Sequence, residues 1–379
     1  MKKIRPLSDN ERAYRLFEKF YPPVIQFVLQ YPTRIKEDKL SSSIGVLRKQ
    51  VKELRLQISK NYFYEKDYPL TIETINSPTF TGYNWDELAC WKRSILSTKP
   101  IEVFLIHGKT DDFLFFRVHH SLMDGMGILQ FVKAVFNHIN GKSVALPNCF
   151  ISDQNFIKKF IRRKRESSFW FNQKLRQNRK EGADFICRRL YLQNISHGLL
   201  YKICCVLKEC YSNSPVRFCI PSSVRFLQPN LSSWGNLTLP LYIDVTEQEI
   251  WSDVYKKMFQ YHTQLQMCSK QNIRYPFLHL PVWLVIGMLI LLQNFQRKSG
   301  RFLTAGMITS VGKVNLMDYV LEDCIPVSAF IIPLYQPLFP LSMCLTEQGK
   351  NCEILLCTDL KVFPENLLNQ VMEKIATLS

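Results

Sequence analysis

His119-His120-Ser121-Leu122-Met123-Asp124-Gly125 sets two histidines, an aspartate four residues after the second, and a glycine within seven residues. An imidazole with an ordinary pKa of about 6.5 is largely neutral at pH 7 and can take a proton from an attacking hydroxyl or amine. Asp124 has three open roles: a second catalytic group, a partner that orients a histidine, or a structural anion paired with a distant arginine. Gly125 and Gly127 allow the backbone to turn and pack where a side chain would obstruct. A lone histidine near a strand end is more often structural than catalytic; the adjacent pair with the spaced aspartate and glycine turns the reading toward chemistry.

Elements on either side must hold these residues. Ile101 to Ile106 and Phe113 to Val118 are apolar, β-prone runs joined by the polar turn His107-Gly108-Lys109-Thr110-Asp111-Asp112, which predicts a hairpin. From Ile128, apolar residues at Leu129, Phe131, Val132, Val135, Phe136 and Ile139 form a stripe of period 3.6, and Gly141 stands where a helix end favours φ > 0. The seven residues therefore occupy a strand-to-helix junction, from which a ring can project off the end of a sheet.

HHSLMDG fits the HHxxxDG signature without a mismatch. Ile220-Pro221-Ser222-Ser223-Val224-Arg225 resembles a Pro-x-x-x-Arg segment, Gly235-Asn236 the Gly-Asn beyond it, and Thr309-Ser310-Val311-Gly312-Lys313-Val314 a Ser-Asn-x-Gly strand end. On these motifs the chain resembles the condensation-domain superfamily. That group includes polyketide-associated acyltransferases, wax ester synthases, alcohol acetyltransferases and, more remotely, chloramphenicol acetyltransferase.

The resemblance implies a mixed α/β protein of two chloramphenicol-acetyltransferase-like lobes with an active-site channel between them. It implies His120 as the catalytic residue, with His119, Asp124, Gly125 and Arg225 in support, Asp124 turned from the substrate and paired with Arg225. Asn236, Ser310 and Gly312 are candidates to line the channel. Ser310 departs from the asparagine usual at its place, and the DFGWG segment of the plant acyltransferase branch is absent.

The 379 residues are enough for two sizeable cores, and 46% hydrophobic with 21% charged residues is a globular composition. Twelve cysteines lack paired spacing; Cys204, Cys205 and Cys210 have only His197 near them, so no metal site is expected. The N-terminal stretch has two lysines but no apolar core segment of a secretory signal, which points to reduced thiols and a cytoplasmic location.

Ser8-Asp9-Asn10-Glu11 is a capping box that predicts a helix from about Asp9 to Phe20. A second helical stripe covers Ser43 to Ile58 through Leu47, Val51 and Leu54. Tyr31-Pro32 and Tyr68-Pro69 mark breaks. We divide the chain into an N-terminal lobe (1–154), a basic bridge (155–189) and a C-terminal lobe (190–379).

The bridge holds twelve lysines and arginines against three acidic residues, so +9 of a net +17 lies there. It is expected to be partly helical, with Phe156, Phe160, Phe169, Trp170 and Phe171 packing. Two readings stand: a solvated crossover, or an attractor of coenzyme A phosphates, an acyl carrier protein or anionic lipid. No helix-turn-helix, zinc finger or RNA-binding motif accompanies the charge, so nucleic acid is not expected as a partner.

In the second lobe, Pro215 to Pro221 and Leu237 to Val245 read as strands, and Thr246 to Met267 as a long helix. Val282 to Leu292, VWLVIGMLILL, has no charged or strongly polar residue but is too short to span a bilayer. A helix buried between layers is the first expectation; a wall of an acyl tunnel, or a face dipping into a membrane beside Arg297, Lys298 and Arg301, are the others. Later strands run over Phe302 to Ser310, Ala329 to Leu334, Leu341 to Thr346 and Glu353 to Thr358, and Pro364 opens a last helix.

The expected function is acyl transfer, O-acyl in preference to N-acyl, in the alcohol-acetyltransferase or polyketide-associated branch. The donor is a thioester on coenzyme A or on a carrier's phosphopantetheine, with no permanently bound cofactor and no covalent acyl-enzyme. Two rivals stand: a free-standing nonribosomal-peptide-type condensation domain, and a catalytically silent protein that binds a carrier or a lipid. Peripheral membrane contact remains open.

Overall fold

In a computed structural model the chain divides into two compact units: 1–153 with 223–237 and 313–334, and 154–222 with 238–312 and 335–379. The structure describes residues 2–18, 20–95, 97–153, 155, 173–175, 185–212, 214–228, 230–246, 280–334, 336 and 338–378. Most of the basic bridge and nearly all of the helix expected over Thr246 to Met267 lie outside them.

The first unit begins with β1 (Lys2–Pro6), α1 (Asp9–Phe17), β2 (Val24–Tyr31) and α2 (Asp38–Gln50). Then come β3 (Leu56–Ser59), β4 (Tyr62–Glu65), β5 (Ile72–Asn76), β6 (Ile101–His107), β7 (Asp112–His119) and α3 (Gly125–Ile139). The capping box forms as expected: Ser8 Oγ accepts from the Glu11 amide and Glu11 accepts from the Ser8 amide at 2.7 Å. β1, β4 and β3 make a small sheet, while β14 (Ser328–Ile332), β2, β7, β6 and β5 make a five-stranded one in that order.

The predicted hairpin is β6 and β7, paired from Ile101↔Val118 to His107↔Asp112. Every residue of β7 is buried, as befits a strand flanked by β2 and β6 and covered by α3. Helix α3 ends at Asn140, and Gly141 takes φ 63°, the left-handed value its place called for.

The stripe predicted over Ser43 to Ile58 is corrected. Helix α2 stops at Gln50, Val51 is extended, Lys52–Arg55 form a 3-10 turn and Leu56–Ser59 are strand β3. Leu47, Val51, Leu54 and Ile58 keep helical spacing, but Leu54, Leu56 and Ile58 also alternate, and all five positions are buried. Burial in the three-stranded sheet decides between the two periods.

The second unit holds β8 (Gln173–Lys174), β9 (Phe185–Leu192), α4 (Leu199–Lys208), β10 (Val216–Ser223) and β11 (Thr238–Val245). It continues with α5 (Val282–Ser299), β12 (Arg301–Phe302), β13 (Met307–Lys313), β15 (Leu341–Gln348), β16 (Asn351–Asp359) and α6 (Glu365–Ala376). A six-stranded sheet runs β11-β10-β13-β15-β16-β9. It is mixed: β10 pairs with β13 in parallel, whereas β15–β16 and β16–β9 are antiparallel. Helices α4 and α6 pack together over it, with Cys204 and Cys210 buried in the same core as Ile203, Leu207, Leu368 and Val371. The mixed sheets and six α-helices among the described residues agree with the fold class read from sequence.

Helix α5 corrects the expectation of burial for Val282 to Leu292. Only Val285, Leu289 and Gln296 are buried along it, while Trp283 is 74% and Leu291 70% exposed. Among the described residues no helix is long and apolar enough to cross a membrane.

Candidate active site

Strand β7 delivers the histidines to the end of the five-stranded sheet. His119 pairs with Val24, its amide donates to Pro100 O at 2.8 Å, and the His120 amide donates to Pro23 O at 2.7 Å. Both neighbouring chains thus hold the strand end. The turn closes with Leu122 N to His119 O at 2.8 Å, and Ser121 Oγ donates to Glu11 O at 2.6 Å. Asp124 then caps α3, accepting from the Gly127 amide at 2.8 Å.

His119 is fully buried and points into the protein. Its Nδ1 lies 3.1 Å from the Ser121 amide and its Nε2 2.7 Å from Glu18 Oε1. A backbone amide can only donate, so Nδ1 accepts and the proton sits on Nε2, directed at the carboxylate. Glu18 is in turn paired with Arg15. Burial, with the Arg15 charge nearby, lowers the His119 pKa to about 3, so the ring stays neutral and acts as a fixed strut.

The His120 ring lies face to face with Tyr14 of α1, centroids 4.1 Å apart and planes 9° from parallel. Asn236 Nδ2 donates to the His120 carbonyl at 3.0 Å and lies 3.4 Å from Nδ1. Burial lowers the His120 pKa to about 4; the ring's bond to its own backbone carbonyl and the charge of Asp124 offset this in part. The contacts at Nδ1 admit either neutral tautomer, and the one that carries its proton on Nδ1 leaves Nε2 as the basic atom.

Asp124 is 1% exposed and uses both oxygens: Oδ1 on Gly127 N, Oδ2 on Leu237 N at 2.8 Å and on the Arg225 guanidinium at 2.7 Å. Burial alone would raise its pKa, but Arg225 and the two amides hold it below the usual carboxylate value. Arg225 also donates to Ser233 O at 3.1 Å and Gly235 O at 2.6 Å. These bonds fasten the segment 223–237 to the start of α3. The fit leaves no room for a side chain at Gly127, where a Cβ would stand 2.0 Å from Trp234 O.

His119, His120, Asp124, Gly125, Arg225 and Asn236 thus come together in the first unit, with Gly125 opening α3. Ser310 and Gly312 lie on β13 in the second unit, where the Gly312 amide donates to Ser310 Oγ at 3.3 Å and Gly312 has φ 73°. Sequence reasoning missed Tyr14, Arg15, Glu18 and Ser121. The capping box gave the helix that carries the first three, but no local signal says which of its side chains meet a ring about a hundred residues away. Among the described residues no group of His, Cys, Asp or Glu could hold a metal ion.

No protein-family model matches the chain, and no curated protein does. Among solved structures it is similar to polyketide synthase associated protein 5 from Mycobacterium tuberculosis, with 13% identity, TM-score 0.65, and 100% of this chain and 98% of that one covered. The condensation domain from monacolin K polyketide synthase MokA gives 9%, 0.63, and coverage of 100% and 97%. A mutant starter condensation domain of rhizomide synthetase RzmA, in complex with C8-CoA and Leu-SNAC, gives 16%, 0.61, and coverage of 98% and 93%. At these identities the likeness establishes the fold: the chain folds as condensation domains do.

Proposed function

We propose that this protein is an acyltransferase that moves an acyl group from a thioester, on coenzyme A or on a carrier's phosphopantetheine, to a hydroxyl or amine acceptor. One observation carries the reading: the His120 ring is buried against Tyr14 and beside Asn236 at the end of a strand, with no hydrogen bond at Nε2 among the described residues. His120 is the general base. Its Nε2 takes the acceptor's proton as the oxygen or nitrogen attacks the thioester carbonyl, giving a tetrahedral oxyanion. The carbon–sulfur bond then breaks and the imidazolium returns the proton to the thiolate, leaving ester or amide and free thiol.

The lowered pKa suits the second half of this cycle: a buried imidazolium gives up its proton readily to a thiolate whose own pKa is about 8.5. The amides of Gly125 and Met126 open α3 without an acceptor one turn back, which suits Gly125 N–H to meet the oxyanion. Asp124 takes no part in proton transfer, because both its oxygens are engaged. It is a positioning residue, as are His119, Arg225 and Asn236, while Ser310 and Gly312 are offered as lining for the acceptor or donor. The direct route needs neither metal nor acyl-enzyme. An O-acyl product is favoured over N-acyl, because a neutral hydroxyl needs the base whereas an unprotonated amine is already a good nucleophile.

The test is release of free thiol from a panel of acyl-coenzyme A donors, short to long, with pooled alcohols and amines. Acceptor-dependent release that falls about a hundredfold or more in His120→Ala supports the reading. Native protein that releases no more than the mutant, from coenzyme A donors and from acyl carrier proteins alike, overturns it in favour of a binding role.

A further inference from the structure

Helix α5 has two faces of opposite character. Val285, Leu289 and Gln296 are buried, and Gln296 Nε2 donates to Leu338 O at 3.1 Å, so this side is anchored in the second unit. On the other side Trp283, Ile290 and Leu291 are exposed at 74%, 44% and 70%, spaced i, i+7 and i+8, and Asn294 and Lys298 continue the same stripe. Met288 and Phe295 widen it at 46% and 49% exposure. The stripe runs from an indole and branched aliphatics at the N-terminal end to the exposed cations Lys298 and Arg301 at the C-terminal end.

We propose that this face of α5 seats the protein on an anionic lipid bilayer, with Trp283 and Leu291 among the upper acyl chains and Lys298 and Arg301 at the headgroup phosphates. Two observations select a bilayer over other occupants. The grading from indole to cation along one stripe matches the polarity gradient across a membrane interface, which a uniformly apolar protein groove does not offer. The second unit also carries 25 lysines and arginines against 13 acidic residues, most of the net charge of the chain, which complements anionic headgroups. At 18 residues with a buried opposite face, α5 dips obliquely into the interface by its N-terminal end and does not cross it.

The test is flotation of the intact chain with phosphatidylcholine vesicles, alone or with about 30% phosphatidylserine. The expected result is capture by the phosphatidylserine vesicles, several-fold weaker capture by phosphatidylcholine, and loss by about tenfold or more in Leu291→Glu and in Trp283→Ala. Lys298→Glu with Arg301→Glu abolishes the preference for phosphatidylserine and leaves the circular dichroism spectrum unchanged. Capture that is absent, or equal in native and Leu291→Glu protein, overturns the proposal. So does a dimer in light scattering that Leu291→Glu dissociates, because a second copy would then cover the face.

Discussion

Replacing Asp124 by alanine removes the anion that joins two segments of chain about a hundred residues apart. The carboxylate accepts from Gly127 N, Leu237 N and Arg225, and it is 1% exposed, so water cannot take over these contacts freely. Breaking a buried ion pair by deleting one partner costs about 3–5 kcal/mol, chiefly for the charge left behind. Arg225 keeps Ser233 O, Gly235 O and Ser223 Oγ, which places Asp124→Ala at the lower end, about 3 kcal/mol. Arg225→Ala strands the aspartate with its two amides and should cost about the same. The double variant should cost less than the sum by at least about 1 kcal/mol, because each single change already breaks the shared contact. Urea unfolding of the three variants, with m-values matching the native protein, gives the cycle. Its pH dependence has a fixed sign: Asp124 is held below its usual value, so its contribution is present above the ordinary carboxylate range and lost as pH falls through the folded value. A cost under about 1 kcal/mol for Asp124→Ala, or strict additivity, would refute the view that this pair closes the site.

The acid limb of acyl transfer should have its midpoint near pH 4, since that is where His120 protonates, and not near the ordinary value of about 6.5; a pH–rate profile of thiol release checks this. Tyr14→Ala opens the ring to water and should move that limb upward, whereas Tyr14→Phe should leave it in place. With both histidine pKa values lowered, the unfolded chain takes up protons first, so stability should fall as pH drops from about 6.5 toward 4, followed by thermal melts. Gly127→Ala sets a methyl against Trp234 O and should cost at least about 1–3 kcal/mol with loss of activity; an unchanged melting temperature would show that the segment yields.

The place of the candidate site on the fold was legible because its pattern is local. Two histidines, the capping aspartate and the glycine lie on one turn, and the strand and helix around them follow from periods of two and 3.6 in adjoining runs. Arg225 and Asn236 could be named only through resemblance, since no pattern along the chain relates residues so far apart. Tyr14 and Glu18 escaped altogether: their contacts depend on how α1 is rolled against the end of β7, and a capping box sets only where a helix begins. For α5, composition gave the helix but not its surroundings. An all-apolar stretch reads as core, yet whether anything covers it depends on distant chain. At Ser43 to Ile58 two periods overlapped, and only the pairing of β3 with β4 decides between them.

The five-stranded sheet has a consequence for the order in which this chain can mature on the ribosome. Strand β2 pairs with β7 on one side and with β14 on the other, and β14 is not synthesised until residues 328–332. Asn236 and Arg225 also arrive long after the histidines. Until residue 237 is made a nascent chain has a histidine turn without its lock and nothing to fill the place of Trp234 beside Gly127, and until residues 328–332 are made it has an open edge at β2. Completion of the histidine turn and then of the sheet is thereby tied to successive late stages of translation, and a polypeptide cut short before Ser328 should be handled by the cell as unfinished, with its open edge prone to join another chain.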